Sequence, residues 1–200
     1  MAAGATAAAA YDWRFDSGRL CLDLVATAEA APGGPEPLDG PGQLGRWLVG
    51  AGLVPAGTVF APVEGQWVGR FVELRDHVGQ LVRAQIDGCG AESALERINA
   101  LAAGAPPGIR AVRDAQGSLV RALSAAPECG ELLAAVARDA VDLLTDPVAR
   151  ARLRECEGDN CRRVYLDTSR GRRRRWCSSE VCGNRERVAR HRRRAAVARA

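Results

Sequence analysis

The stretch CEGDNCRRVYLDTSRGRRRRWCSSEVCGNR, residues 156–185, contains four of the seven cysteines of the chain. They form two pairs with the same internal spacing, Cys156 with Cys161 and Cys177 with Cys182, in the pattern C-x4-C-x15-C-x4-C. Structural zinc takes four ligands in tetrahedral geometry, and these usually arrive as two close pairs joined by a longer segment. The spacing therefore predicts one structural zinc ion bound by these four cysteines, with no coordination position left for a catalytic water.

The other cysteines and the start of the chain bear on the redox state of these thiols. Seven cysteines is an odd number, and the first residues lack the basic and apolar segments of a signal peptide. We therefore expect a cytoplasmic protein with reduced thiols rather than disulfides. An iron–sulfur cluster also takes four cysteines, but the matched pairs enclose a segment of the size that zinc modules use. Cys21, Cys89 and Cys129 are expected to be buried as small apolar residues.

The residues between and after the pairs predict a small fold around the metal. A turn at Ser169–Gly171 separates two short strand-like runs, which predicts a hairpin between the two cysteine pairs. Ser178 or Ser179 is expected to cap a helix that has Cys182 in its first turn. Hairpin and helix around one ion form a treble-clef-like finger. Because so small a segment has no core of its own, metal binding is expected to supply its folding free energy, about 10–16 kcal/mol.

Positive charge is concentrated in the same part of the chain. Residues 1–149 carry 11 arginines and 18 acidic residues, residues 150–200 carry 17 arginines and 6 acidic residues, and lysine is absent. The formal charge is therefore −7 in the first segment and +11 in the second. This asymmetry predicts an acidic body over 11–149 and a basic module over 150–200 that binds a polyanion. Residues 1–10 are alanine-rich and low in complexity, and we expect them to be disordered.

The arginines of the basic module indicate nucleic acid as its ligand, because guanidinium groups form paired hydrogen bonds with phosphate oxygens. The candidate contacts are Arg172, Arg173, Arg174, Arg175, Arg185, Arg187, Arg190 and Arg194. Among them Arg185, Arg187 and Arg190 are the candidates for base contacts. Tyr165 and Trp176 could stack on bases, although Trp176 is expected to pack in the core of the finger. The residues alone leave DNA and RNA open, as well as a solvated tail or a protein partner.

Apolar periodicity predicts an α+β body. In RLCLDLVAT (residues 19–27) the leucines alternate, which predicts a strand, whereas residues 66–87 carry one apolar stripe at helical spacing. IRAVRDAQGSLVRAL (109–123) has two alternating runs around a turn, which predicts a β-hairpin. With further helices around Trp47, Ile98 and residues 132–144, the body is expected to have about four helices and few strands, with Trp47 and Trp67 in its core.

Several classes of protein are disfavoured. No run approaches the roughly 18 apolar residues of a membrane-spanning helix, so no membrane partner is expected. The absence of lysine removes P-loop chemistry, and GPGQLG (40–45) follows a Pro-rich loop instead of the strand that a dinucleotide site requires. The two histidines, His77 and His191, have no nucleophile or ligand partner at useful spacing. We therefore expect no catalytic activity.

The C-terminal segment closely resembles the CGNR zinc finger, whose name matches Cys182-Gly183-Asn184-Arg185, and YLDTSR and RRWCS also match its pattern. The upstream sequence is similar to the ABATE domain that usually precedes this finger. RLCLDLVAT corresponds to a family stretch closer to L-A-L-D-F-V-N-T, with Leu24 and Ala26 in place of Phe and Asn, and LGRWLVGAGLV (44–54) fits its next helix. The resemblance implies an α+β N-terminal domain and a stress-related role in bacterial transcription regulation.

These observations together predict a two-part bacterial regulator with a zinc-dependent DNA-binding finger and an N-terminal regulatory or ligand-sensing domain. The alternatives are an RNA-binding or protein-interaction zinc module, or a small-molecule sensor without direct DNA readout. For a sensor, Asp23 on an otherwise apolar segment is the candidate contact of a small ligand. Pairing of its carboxylate with a local arginine, or capping of backbone groups, is the competing explanation.

Overall fold

The computed structural model describes residues 13–28, 35–56 and 65–197, with side chains up to residue 194. The predicted disordered segment 1–10 lies outside these residues. In the described part the elements are α1 (Leu20–Val25), α2 (Pro41–Gly50), α3 (Gly65–Asp87), α4 (Glu92–Ala102), β1 (Ile109–Arg113), β2 (Leu119–Leu123), α5 (Cys129–Thr145), α6 (Pro147–Arg150), β3 (Leu153–Glu155), β4 (Val164–Leu166) and α7 (Cys182–Val197). This mixture of helices and a few short strands confirms the α+β class.

The strand predicted over residues 19–27 is wrong, because this segment forms the short helix α1. Helix α1 lies against α3 and α5, and most of its side chains are buried. An apolar run that is buried on nearly every side has no informative periodicity, so alternating leucines do not separate strand from helix. The first turn of α1 is held by Asp139 of α5, whose carboxylate accepts hydrogen bonds from the Cys21 N–H (2.8 Å) and from Arg19 Nε (2.9 Å).

The core of the body lies between α1, α3, α4 and α5, with α2 packed on α3. Trp47 of α2 is fully buried and meets the Phe71 ring of α3 edge-on, with 6.1 Å between ring centroids. Trp67 is 9% exposed, so both tryptophans belong to the core as predicted. Helix α5 begins with a capping box in which the Glu128 and Glu131 side chains each accept the other's backbone N–H.

Most of the predicted elements of the body are confirmed. Helix α3 covers the predicted stripe, although Ile86 near its end is 37% exposed. The β1–β2 hairpin pairs Ile109 with Leu123 in antiparallel register. Cys21 and Cys129 are buried as expected, whereas Cys89 is exposed because it lies just after α3 ends. No helix in the described part of the chain combines the length and hydrophobicity that a bilayer crossing requires.

The second sheet joins the arginine-rich module to the body. Strands β3 and β4 pair antiparallel, and Leu153 and Leu166 belong to the same buried cluster as the helices of the body. Arg163 is 7% exposed and donates hydrogen bonds to the Arg14 carbonyl (2.8 Å) and to Ser17 Oγ (3.2 Å). The predicted domain boundary stays a prediction, and the structure adds that hydrophobic packing continues across it.

The hairpin predicted between the two cysteine pairs is wrong in its second strand. Strand β4 forms from the first run, but its partner β3 precedes the first pair, and residues 172–176 are not a strand. The predicted turn does form, with the Arg172 N–H donating to the Ser169 carbonyl (3.1 Å). Beyond it the backbone is held by a side chain, since the Arg174 N–H donates to the Asp167 carboxylate (3.0 Å) and not to a neighbouring strand.

Candidate metal centre and nucleic-acid interface

The four predicted metal ligands converge on one point. The Sγ atoms of Cys156, Cys161, Cys177 and Cys182 all lie within 4.8 Å of one another. Sγ of Cys177 is 3.8 Å from Sγ of Cys161 and 3.5 Å from Sγ of Cys182. Sulfurs bound to tetrahedral zinc at about 2.3 Å lie about 3.8 Å apart, whereas a disulfide joins them at about 2.05 Å. The four thiols are therefore spaced for one shared ion and not for disulfide bonds.

The first pair is placed by the end of β3 and a tight turn. The Cys156 N–H extends the β3–β4 ladder by donating to the Arg163 carbonyl (2.9 Å), and the Cys161 N–H donates to the Gly158 carbonyl (3.0 Å). Gly158 lies directly beside the sulfurs. A Cβ at this position would lie 3.3 Å from Cys182 Cβ and 3.5 Å from the Sγ atoms of Cys156 and Cys182. A side chain at this position would therefore be crowded by Cys182 Cβ but would make ordinary van der Waals contacts with the two sulfurs.

The second pair connects the arginine-rich loop to α7. The Cys177 N–H donates to Cys156 Sγ at 3.3 Å, which joins the two cysteine pairs. Cys182 is the first residue of α7, which confirms the prediction that it lies in the first turn of a helix. Ser178 does not cap α7 itself, because its Oγ accepts the N–H groups of Glu180 and Val181 in the turn before the helix (both 3.2 Å).

The ionisation of the clustered thiols is consistent with a cation at their centre. A hydrogen bond with Cys177 lowers the pKa of the Cys161 thiol to about 5, and the same contact, together with burial, raises the pKa of Cys177. Burial raises the pKa of Cys182 to about 11. These thiols oppose one another's ionisation, whereas a bound divalent ion deprotonates each thiol that coordinates it.

The donor set fits zinc. Three of the thiols are buried and one is half-buried, and four sulfur donors in tetrahedral spacing are typical of a structural zinc site. Cys156, Cys161, Cys177 and Cys182 would hold one zinc ion, which cross-links the turn after β3 to the arginine-rich loop and to α7. With four protein ligands the ion has a structural role, in agreement with the prediction.

A network of buried hydrogen bonds supports the loop that leads to Cys177. Tyr165 of β4 is fully buried, and its hydroxyl donates to the Arg174 carbonyl (2.6 Å). The Arg174 guanidinium lies 4.6 Å from the centre of the Tyr165 ring and donates to the carbonyls of Trp176 and Cys177. The Asp167 carboxylate is buried as well and accepts the backbone N–H groups of Ser169 and Arg174. Tyr165 is therefore not exposed for base stacking, and Trp176 packs against the small core as predicted.

The structure divides the predicted nucleic-acid contacts into two groups. Three of them are engaged by the finger. Arg174 points inward, Arg175 pairs with Glu157 (2.6 Å) and covers the Trp176 ring, and Arg187 donates to the carbonyls of Gly183 and Ser179. The other five are exposed and have no ion pair or side-chain hydrogen bond among the described residues, namely Arg172, Arg173, Arg185, Arg190 and Arg194.

The candidate ligand contact of the body, Asp23, has a structural role in α1. Its carboxylate accepts the Ser17 N–H (2.9 Å), which is the backbone-capping explanation. Burial raises the pKa of this carboxyl group, and the hydrogen bond from Ser17 opposes that shift. The sequence analysis did not identify Arg163, which holds the finger to the body, or Asp167, which shapes the loop of the finger. The sequence Asp-Thr-Ser directly after a strand is typical of a turn in which the aspartate side chain accepts backbone N–H groups, and this pattern could have identified Asp167.

Comparison with protein-family models gives two adjoining matches. Residues 18–147 match the ABATE family, described as "Putative stress-induced transcription regulator", and residues 152–195 match the CGNR zinc finger. No curated protein shows significant similarity to the chain. The first match covers well over half of the chain, and the second contains all four clustered cysteines. The chain therefore belongs to the ABATE family and carries a CGNR zinc finger at its C-terminal end.

Proposed function

We propose that this chain is a cytoplasmic bacterial regulator that binds duplex DNA through its zinc-ordered C-terminal segment. Its N-terminal body acts as a regulatory or ligand-sensing domain, and no catalytic step is assigned to it. One observation carries the proposal, the presence around the metal centre of five exposed arginines that have no partner within the described part of the chain: Arg172, Arg173, Arg185, Arg190 and Arg194.

The five arginines lie on two segments that the metal centre joins. The loop with Arg172 and Arg173 lies between the second and third cysteines, and α7 starts at the fourth. Arg173 also lines a concave pocket of about 530 Å³ with Ser178 and Ser179, which lie directly before α7. A zinc ion that binds all four sulfurs therefore fixes loop and helix relative to each other, so DNA binding is expected to require zinc.

Duplex DNA is favoured over RNA by the shape of the surface and by its aromatic residues. Helix α7 has 16 residues and is about 24 Å long, and the major groove of B-DNA admits a helix whereas that of A-form RNA does not. Single-stranded RNA is bound largely by stacking on exposed aromatic rings. Here Tyr165 is buried and Trp176 is covered by the Arg175 guanidinium.

The regulatory role of the body is supported by its contact with the finger. Leu153 and Leu166 pack in the core of the body, and Arg163 is held by the segment before α1. A change in the packing of α1 or α3, such as one caused by a bound ligand, would therefore act directly on the strands that carry the metal centre.

The proposal is tested by measuring the affinity of the zinc-loaded chain for a labelled 30-base-pair duplex at several salt concentrations. If four or all five of the free arginines each contact one phosphate, the slope of log K against log salt is about −3.6 to −4.5. The double variant Arg190→Ala/Arg194→Ala is expected to reduce the magnitude of this slope by about 1.8. Arg97→Ala, an exposed arginine of α4 in the acidic body, is the matched control and should change nothing.

Three outcomes would contradict the proposal. The first is an affinity that does not depend on salt. The second is DNA binding that survives both zinc chelation and the replacement Cys161→Ser. The third is tighter binding of a single-stranded RNA of equal length, which would favour the RNA-binding alternative.

A further inference from the structure

Helix α7 has one face that the finger does not cover. Cys182 and Gly183 are buried and Glu186 and Ala189 are half-buried, so this side of the helix faces the finger. Because successive residues of a helix are about 100° apart, the opposite side carries residues at i, i+4 and i+7. We call this opposite side the outer face, and its members are Asn184, Arg185, Val188, His191 and Arg192.

The outer face is free to bind a ligand. All five side chains are exposed, and none has a hydrogen bond or ion pair within the described residues. Other polar residues of α7 are engaged, since Arg187 donates to backbone carbonyls and Arg193 lies 3.8 Å from the Glu186 carboxylate. These five unpaired side chains lie on the side of the helix that points away from the finger, and Arg190 and Arg194 are unpaired in the described part of the chain as well.

The side chains of the outer face differ chemically from the arginines that bind phosphate. An asparagine amide forms paired hydrogen bonds with adenine, and an arginine fork does the same with guanine. An apolar side chain contacts the thymine methyl group, and Val188, 43% exposed on a helix rich in arginine, has no core contact that explains it. Neither the Asn184 amide nor the Val188 side chain carries a charge that could pair with a phosphate. Their position on the outermost surface fits base edges.

Resting on the proposed function, we infer that the outer face of α7 lies in the major groove and reads a short base sequence directly. Asn184 contacts an adenine and Arg185 a guanine, with Val188 against a thymine methyl group. The distance from residue 184 to residue 192 is about 12 Å along the helix, which corresponds to roughly three to four base pairs at about 3.4 Å each. The other free arginines, Arg172, Arg173, Arg190 and Arg194, contact the phosphates.

This assignment differs from the sequence-based prediction of the base contacts. That prediction chose Arg185, Arg187 and Arg190 from their charge and spacing. In the structure Arg187 is hydrogen-bonded to backbone carbonyls of its own finger, and Arg190 lies one turn after the half-buried Glu186, on the side of the helix that faces the finger. Only Arg185 of the three lies on the outer face.

The test uses the full, zinc-loaded chain and a library of random duplex DNA, from which bound sequences are selected and then measured singly. Asn184→Ala and Arg185→Lys are suitable variants, because neither changes the charge of the helix, while each removes a paired base contact. Each is expected to weaken binding to the selected sequence by about 5- to 150-fold and to leave binding to an unselected duplex within about 2-fold. Arg190→Ala is the control and should weaken both duplexes by the same factor.

The outcomes separate this inference from the proposed function. If the selection enriches no sequence, or if Asn184→Ala and Arg185→Lys weaken both duplexes equally, direct readout by the outer face is overturned while salt-dependent DNA binding stands. If the wild-type chain binds no duplex at all, both ideas fail. Zinc content and helix content of each variant, measured beside wild type, exclude unfolding as the cause of a loss.

Discussion

At the scale of single residues, the environment of each arginine decides its role. Arg174 and Arg173 are neighbours in a run of four arginines, yet Arg174 is enclosed by the Tyr165 ring and two backbone carbonyls, while Arg173 is exposed in a concave surface. A guanidinium that already donates to carbonyls of its own fold has few N–H groups left for phosphate. The same residue type therefore builds the finger at one position and is free to bind a ligand at the next.

The contact of Gly158 with the sulfurs leads to a prediction about metal affinity. Gly158→Ala places a methyl group 3.3 Å from Cys182 Cβ, closer than most such contacts, so Cys182 must shift by a few tenths of an ångström. We expect the affinity for zinc to fall about 10-fold, as measured by competition with a chromophoric chelator. Gly171→Ala is the matched control, since a Cβ at that position meets nothing within 4 Å. Equal zinc affinities for the two variants would show that the turn tolerates a side chain.

At the scale of elements, side-chain contacts hold together segments that have little regular structure of their own. The segment before α2 is attached to α3 because the Glu36 carboxylate accepts two hydrogen bonds from the Arg75 guanidinium, at 2.7 and 2.9 Å. The same carboxylate accepts the N–H of the fully buried Leu38. The Arg75 side chain is only 7% exposed, and its charge is compensated by this carboxylate and by that of Asp76, 3.2 Å from Nε.

This ion pair predicts a pH-dependent stability. Burial opposes ionisation of Glu36, but the bonds from Arg75 outweigh it and lower the pKa of the carboxyl group below its usual 4.5. A lowered pKa in the folded state gives stability that is present above pH 4.5 and is lost as the pH falls through the lowered pKa. Because the Glu36 side chain is 37% exposed and solvent screens the pair, Glu36→Gln is expected to cost about 1 kcal/mol at pH 7 and less at pH 3, by chemical denaturation.

A control for this prediction comes from α4. Glu96→Gln removes an exposed carboxylate that has no ion pair or hydrogen bond among the described residues, so it should leave the free energy of unfolding at pH 7 nearly unchanged. A cost for Glu36→Gln that is the same at pH 3 and pH 7 would argue against the ion pair as its cause.

At the scale of the whole molecule, strands β3 and β4 contact both the metal centre and the body. Strand β3 packs on α3 and β4 on α1, and Arg163 adds an ion pair with Asp16 (3.2 Å) to its hydrogen bonds with the segment before α1. The finger has a second small core of its own, made of the clustered cysteines and Tyr165. The two cores lie on opposite faces of the same short strands, so ordering of one affects the other.

We therefore predict that zinc removal destabilises the body as well as the finger. Chelation should lower the melting temperature of the full chain by about 5 °C or more and should increase hydrogen exchange in α1 and α3. The variant Cys156→Ser/Cys161→Ser should start at the lower temperature and show no further change with chelator. Unchanged exchange in α1 and α3 after complete zinc loss would show that the two parts are independent.

Much of the candidate site could be predicted from the sequence, because its information is local. Two cysteine pairs with equal spacing specify a tetrahedral metal site whatever surrounds them, and the start of α7 at Cys182 follows from the same segment. The β1–β2 hairpin was also predictable, since its register depends on a short turn. Helix α1 could not be predicted, because α3 and α5 bury it on nearly every side. Its sequence therefore lacks the polar face from which helical periodicity is recognised.

The sequence by itself determined that four thiols bind one ion and that the positive charge lies beside it, since both depend on residue type and spacing. Only the tertiary structure decided which arginines remain free. Asp167 and Tyr165 hydrogen-bond to the backbone of Arg174 and hold this residue inside the finger, and Glu157 forms an ion pair with Arg175. The side chains of Asn184 and Arg185 on α7 are exposed. The physical reason is that a charged side chain can bind a ligand only when its hydrogen bonds are not already made within the fold, and those bonds join residues far apart in the chain.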